Sequence, residues 1–94
     1  MRIGLFQAEI FIPESHSLKH KRFIINRLKD KIRKKFNVSV IEAGYTEKWQ
    51  RSLLAIAAVS NDTKILDSTF SRIINLMEKS GGDFEIIRQE TEII

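Results

Sequence analysis

The amino-acid sequence predicts one α+β domain over residues 1–94, with its elements in the order β-α-β-β-α-β. Two observations support this prediction. Two segments with helical periodicity have similar lengths, and each lies between segments with strand patterning. The two middle strands are separated only by a short connector, which indicates an internal hairpin. This order is typical of the ferredoxin-like sandwich, in which a four-stranded antiparallel sheet in the order 4-1-3-2 carries both helices on one face.

The first strand is predicted over residues 2–12. Apolar residues recur at every second position on one of its faces, and Gln7 and Glu9 fall on the other face. Pro13 follows and ends the strand, because proline cannot donate a ladder hydrogen bond. The face predicted to enter the core consists of Phe6, Ala8, Ile10 and Ile12.

The first helix is predicted from Leu18 to Lys35. Its apolar residues are spaced by seven, three, four and four positions, which places them on one side of a helix. Either Ser15 or Ser17 is expected to cap this helix by accepting a hydrogen bond from a first-turn amide. The inward side consists of Leu18, Ile25, Leu28, Ile32 and Phe36.

The second and third strands are predicted over residues 37–45 and Arg51–Ser60. The third strand is apolar without alternation over residues 53–59, a pattern typical of a central strand covered on both faces. The face without helices then carries either the even-numbered residues or the odd-numbered set. Because monomers rarely leave such a face exposed, we expect a homo-oligomer such as a dimer; a lone sheet that exposes these small residues is the alternative. The odd-numbered set is Leu53, Ala55, Ala57 and Val59.

The second helix is predicted over residues 63–79, and the last strand over residues 83–94. Gly81 or Gly82 is expected to close the helix in a left-handed conformation. The last strand is acidic, which is typical of an edge strand protected by charge. Its acids are Glu85, Glu90 and Glu92, and the inward residues of the helix are Leu66, Phe70, Ile73, Ile74 and Met77.

Charge is distributed unevenly along the chain. Nine of the 16 Lys and Arg residues lie between Ser17 and Lys35, where Asp30 is the single acid, so this stretch has a formal charge of +8. The remaining residues hold seven bases and eleven acids, a formal charge of −4. One basic helix on an acidic body indicates a surface for a polyanion, most often nucleic acid.

The outer arc of the first helix is therefore the candidate binding face. A basic face that contains an aromatic residue can neutralise phosphates and stack on a base. We expect it to bind RNA or a ribosomal particle. Two alternatives remain open: a solvated face with Phe23 tucked against a neighbouring segment, and a face that docks on an acidic protein surface. The candidate nucleic-acid-binding residues are Lys19, Arg22, Phe23, Arg27, Lys29, Arg33 and Lys34, with Lys31 on the same arc.

Two further features have alternative interpretations. Lys21 falls on the apolar side of the first helix; its stem is expected to extend past the sheet edge, and a lysine aimed at a ligand is the alternative. Trp49 opens the third strand and is expected to form a lid over one end of the core. The alternative is a recognition patch in which Trp49 or Tyr45 stacks on a base or on a partner chain, while Arg51 binds a phosphate.

The sequence favours a non-catalytic protein without a cofactor. It contains no cysteine, and His16 and His20 have no obvious third partner for a metal site. The loop after the first strand lacks the glycines with which an acylphosphatase cradles phosphate. The third strand lacks the aromatic residues of an RNA-recognition module, so RNA binding would use the helix. The absence of cysteine is also typical of a cytoplasmic protein, which we expect here. We expect no membrane segment, because no apolar run approaches the roughly 18 residues that a membrane helix needs.

Several segments together resemble the YlxP family, a small bacterial family of unknown function with a ferredoxin-like fold. The resemblance covers nearly the whole chain but departs from the family at His20, where an acid is common. YlxP genes often lie beside those of translation and ribosome-maturation factors, which implies a role related to RNA. The resemblance implies no catalytic residues. It rests on residues 12–14, 17–19, 21–22 and 36–40, on Glu42 and Gly44, and on residues 49–51 and 59–62.

Overall fold

A computed structural model describes residues 1–80 and 82–94 of the chain. Its four strands form one sheet in the order β2-β3-β1-β4, and every neighbouring pair is antiparallel. Counted from the other edge of the sheet, this is the predicted 4-1-3-2 order, so the ferredoxin-like fold is confirmed. The elements are β1 (Arg2–Phe11), α1 (Leu18–Lys35), β2 (Ser39–Gly44), β3 (Arg51–Ser60), α2 (Thr63–Glu78) and β4 (Glu85–Ile93).

The predicted limits of α1 and β3 are those observed, and the other elements are one to three residues shorter at their ends. Ser17 rather than Ser15 caps α1, because its Oγ accepts a hydrogen bond from the His20 amide at 3.0 Å. Beyond α2, Gly82 has a φ of 81°, the left-handed conformation that was expected there. Gly81, the alternative, lies outside the described residues.

The core lies between the sheet and the two helices. The even-numbered residues of β1 from Gly4 to Ile10 and of β3 from Ser52 to Ala58 face the helices and are buried, which leaves the odd-numbered residues of β3 on the opposite face of the sheet. Phe6 and Phe70 stack at the centre, with ring centroids 5.7 Å apart. The Phe70 ring also lies against Gly4, where a Cβ atom would come within 2.8 Å of it. Gly4 therefore allows α2 to approach β1 closely.

Candidate nucleic-acid interface

The outer side of α1 is a band of basic side chains. Its apolar side is buried on the sheet through Ile24, Ile25, Leu28 and Ile32, so the basic residues between them point to solvent. We call this surface the basic face. Lys29 is half-buried and the other members are exposed. The basic face consists of Lys19, Arg22, Phe23, Arg27, Lys29, Lys31, Arg33, Lys34 and Lys35.

Phe23 lies within this band and is 59% exposed. It is therefore not tucked against a neighbouring segment, and this part of the solvated-face alternative is wrong. The Arg27 guanidinium lies 5.6 Å from the centroid of the Phe23 ring, within the range of a cation–π contact. The structure thus brings an exposed aromatic ring and a cation together on the basic face.

Arg33 differs from its neighbours because it also anchors the helix. Its Nη2 donates a hydrogen bond to the Val40 carbonyl at 2.9 Å, and its Nη1 lies 3.8 Å from a carboxylate oxygen of Asp30. Both side chains of the Arg33–Asp30 pair are largely exposed, so this pair adds little to stability. The hydrogen bond to β2 is the stronger of the two contacts. Arg33 therefore also holds α1 against the sheet.

The basic face extends onto α2 through a residue that the sequence analysis missed. Lys79, just after the last turn of α2, lines a cleft with Leu76, Ser80 and three lysines of α1. The cleft exists because α2 packs beside the second half of α1, which the sequence alone does not show. The one indication in the sequence is that this lysine stands at the end of the second predicted helix. The three α1 lysines in the cleft are Lys31, Lys34 and Lys35.

Lys21 is a buried ion-pair partner, so both interpretations of it from the sequence are wrong. Its side chain has no solvent exposure, and its Nζ lies 3.0 Å from Oε2 of Glu42. The same Nζ donates to the backbone carbonyls of Tyr45, Thr46 and Arg51 at 2.8–3.2 Å. With three N–H bonds and four oxygen partners, the ammonium has no donor left for a ligand.

Glu42 completes this buried site. The Ser52 hydroxyl donates to Oε2 of Glu42 at 2.6 Å, so the carboxylate is held from two sides. Together Lys21 and Glu42 fix the β2–β3 connector against the first turn of α1. The sequence gives only a weak indication of this ion pair. Glu42 lies two positions after the buried Val40, so both side chains are on the core side of β2.

The candidate recognition patch lies apart from the basic face. Tyr45 is next to Glu9, Leu53 and Arg88 on the side of the sheet without helices. The Arg51 guanidinium lies 5.6 Å from the Tyr45 ring centroid, and its Nε lies 3.7 Å from Oε2 of Glu9. Arg51 therefore already has an anionic partner within the chain.

Trp49 lies at the end of the sheet and is 55% exposed. It lines an open depression together with Phe11, His16 and Lys48. A side chain with this exposure does not seal the core, so the lid interpretation is wrong. The structure thus brings Tyr45 and Arg51 together but does not join this patch to the basic face.

The remaining candidate groups give no second site. In residues 1–80 and 82–94, no group of three or more His, Asp or Glu side chains is arranged to hold a metal ion. Glu90 and Glu92 lie on β4, which is an edge strand as predicted. Of the helices described, none is long and apolar enough to cross a bilayer.

A family model described as "Protein of unknown function (DUF503)" matches residues 3–91 of the chain. The chain belongs to the DUF503 family. Over 76 residues it is 36% identical to the uncharacterized protein YlxP of Bacillus subtilis (strain 168), a match that covers 81% of this chain and 83% of YlxP. The resemblance to YlxP is thereby confirmed, and the function of the DUF503 family remains to be established.

Among solved structures, the DUF503 chain is similar to the de novo designed protein Foldit4. The two superpose with a TM-score of 0.57 at 14% identity, over 100% of this chain and 97% of Foldit4. At this identity the similarity concerns the fold alone. A sequence designed de novo thus has a similar fold.

Proposed function

We propose that this DUF503 protein binds RNA, free or within a ribosomal particle, through the basic face, and that it does so without catalysing a reaction. The observation that supports this most strongly is the exposed Phe23 inside a band of basic side chains that have few acidic partners. In the described part of the chain, Arg33 is the one member of the basic face with a carboxylate within salt-bridge distance.

Like charges on one helix face have an energetic cost. Basic residues three or four positions apart, such as Arg27 and Lys31 or Lys31 and Lys35, repel one another by about 0.2–0.5 kcal/mol per pair. A solvated face normally relieves this repulsion by alternating both signs. A polyanion relieves it by binding, and releases its own counterions when it does.

The dimensions of α1 fit a nucleic-acid strand. A helix of 18 residues is about 27 Å long. One strand of a duplex carries a phosphate about every 3.4 Å, so roughly eight phosphates lie along that length. Lys19 and Lys35, near the two ends of α1, are both exposed, so the basic face is long enough for about six phosphate contacts.

Phe23 favours single-stranded or looped RNA over a regular duplex. Side chains cannot read the deep, narrow major groove of an RNA helix, whereas unpaired bases stack on aromatic rings and on Arg guanidinium groups. Phe23 and Arg27 offer both kinds of surface 5.6 Å apart. The position of YlxP-type genes beside those of translation factors also supports RNA as the partner.

Replacing Phe23 with Ala tests the proposal. We expect affinity for a fluorescent single-stranded RNA to fall by about fivefold to a hundredfold, because stacking contributes about 1–3 kcal/mol per base. Stability should change little, since the ring is more than half exposed. Ile65→Ala is the matched control: Ile65 is 56% exposed but lies on α2, outside the basic face.

The same titrations separate RNA from an acidic protein partner. Polyglutamate at the same ionic strength offers negative charge without bases. We expect it to bind more weakly than RNA and to be insensitive to Phe23→Ala. Equal affinity for both polymers, with no effect of Phe23→Ala on either, would favour the alternative in which the basic face docks on an acidic protein surface.

A further inference from the structure

The face of the sheet opposite the helices, the open face, is divided into two halves. The half formed by β2 and β3 is apolar, with Ile41 58% exposed and Val59 65% exposed. The half formed by β1 and β4 is mostly polar, because Gln7 and Glu9 pair with Glu90 and Arg88 across the strands. The apolar half consists of Ile41, Leu53, Ala55, Ala57 and Val59, and is bordered by Leu5 and Ile3 of β1.

The charges of the open face argue against nucleic acid as its occupant. Glu9, Glu90 and Glu92 lie on this face and outnumber its two arginines, Arg51 and Arg88, so a polyanion would meet a net negative charge beside the apolar half. β3 itself carries no aromatic side chain, and the ring of Tyr45 beside this face already lies against the Arg51 guanidinium. The face that suits RNA and the open face are therefore different surfaces, on opposite sides of the sheet.

The open face is complementary to a second copy of itself. The row Ile41, Ala55, Gln7, Glu90 crosses the sheet at its middle. A two-fold axis along this row places the apolar half of one copy on the apolar half of the other. It also places Ala57 opposite Leu53, a small residue opposite a large one, and Glu92 opposite Arg88, while Glu90 meets its own copy at the axis and Leu5 faces Glu9. An axis parallel to the strands would instead set the apolar half itself against carboxylates, with Ile41 opposite Glu90 and Leu53 opposite Glu9.

The area of the open face is sufficient for a dimer. Strands of nine or ten residues in β1, β3 and β4 and six in β2, spaced about 4.8 Å apart with a rise of about 3.3 Å per residue, cover roughly 550–600 Å². Two such faces together bury about 1,100–1,200 Å², which exceeds the roughly 1,000 Å² expected of a biological interface and lies just at or below the roughly 1,200 Å² at which stable interfaces begin.

We propose that the protein forms a symmetric dimer in which two open faces pack against each other around a two-fold axis that runs across the strands. The dimer leaves both basic faces exposed on its two outer sides. It would therefore present two RNA-binding surfaces pointing away from each other. Dimer formation does not depend on the RNA-binding proposal, and each can fail without the other.

The test is the mass of the wild-type protein in solution, measured by light scattering over a concentration series that extends well above the micromolar range. We expect twice the chain mass of 10.9 kDa. The double variant Ile41→Lys, Val59→Lys should be monomeric at the same concentrations, because it buries two charges in the apolar half. Ile65→Lys, an equally exposed isoleucine on α2, is the control and should stay dimeric.

A charge exchange tests the orientation of the two copies. Arg88→Glu alone and Glu92→Arg alone should each weaken the dimer by about tenfold, and the double exchange should restore it. Both residues are exposed, so these variants remain informative even where the double lysine variant fails to fold. A monomeric wild-type protein, or a folded Ile41→Lys, Val59→Lys variant that stays dimeric, would overturn the proposal. Failure of the double exchange to restore the dimer would overturn the proposed axis.

Discussion

Replacing Lys21 with Met should lower the free energy of unfolding by about 3–5 kcal/mol, the range found when one partner of a buried ion pair is removed. Methionine has nearly the volume of lysine, so the loss comes from polar groups rather than from a cavity. Glu42 would be left with the Ser52 hydroxyl alone, and three carbonyls of the connector would lose their shared donor. Since these groups are only partly buried, water replaces some of the lost hydrogen bonds, and the rest of their desolvation cost remains.

Urea unfolding followed by the fluorescence of Trp49, the single tryptophan of the chain, measures this effect. Lys19→Met, two positions away on the exposed side of α1, is the matched control and should stay within about 0.5 kcal/mol of wild type. A loss for Lys21→Met no larger than that of the control would contradict the assignment of a buried pair. In a double-mutant cycle with Glu42→Gln, the two losses should not be additive.

Reversing three charges on the basic face should weaken RNA binding by about a hundredfold or more, because each lost phosphate contact removes one counterion-release term. The variant is Arg22→Glu, Lys29→Glu, Lys34→Glu. Arg33 is left unchanged because its hydrogen bond to the Val40 carbonyl supports the fold. The slope of log affinity against log salt should also decrease by about two to three.

A control variant with the same net charge shows whether binding depends on the basic face or only on the total charge of the protein. This control makes the same formal charge change at three exposed positions outside α1, and is Arg2→Glu, Lys48→Glu, Lys64→Glu. We expect this variant to lose at most a small part of the affinity. Equal losses in the two folded variants would mean that net charge, and not the basic face, determines binding.

The fold could be predicted because several local patterns agree. The alternation of Phe6, Ala8 and Ile10 and the spacing of Ile25, Leu28 and Ile32 each allow only one buried face. The parity of β3 could not be predicted, since both sets of its residues are apolar. The register of the β1–β3 pair decides it: Phe6 pairs with Ile56 and Ala8 with Leu54, so the even-numbered residues of β3 share the buried face of β1.

The candidate site was only partly predictable. The basic face follows from composition and helical periodicity. The exposure of Phe23 does not, because a place on the outer arc does not show whether a neighbouring segment covers the ring. The role of Lys21 does not, because its partners lie 21 to 30 positions further along the chain and meet it only in the folded state. Lys79 was missed for the same reason: it joins the basic face through helix packing.

Binding of RNA by the basic face is tested most directly by a salt titration of the wild-type protein. The measurement is the anisotropy of a fluorescent single-stranded RNA, repeated at increasing salt and compared with a duplex of the same length. With about six phosphate contacts, log affinity should fall linearly with log salt, by roughly a thousandfold between low and physiological salt, and the single strand should bind more tightly. No binding of either RNA at the lowest salt would contradict the account.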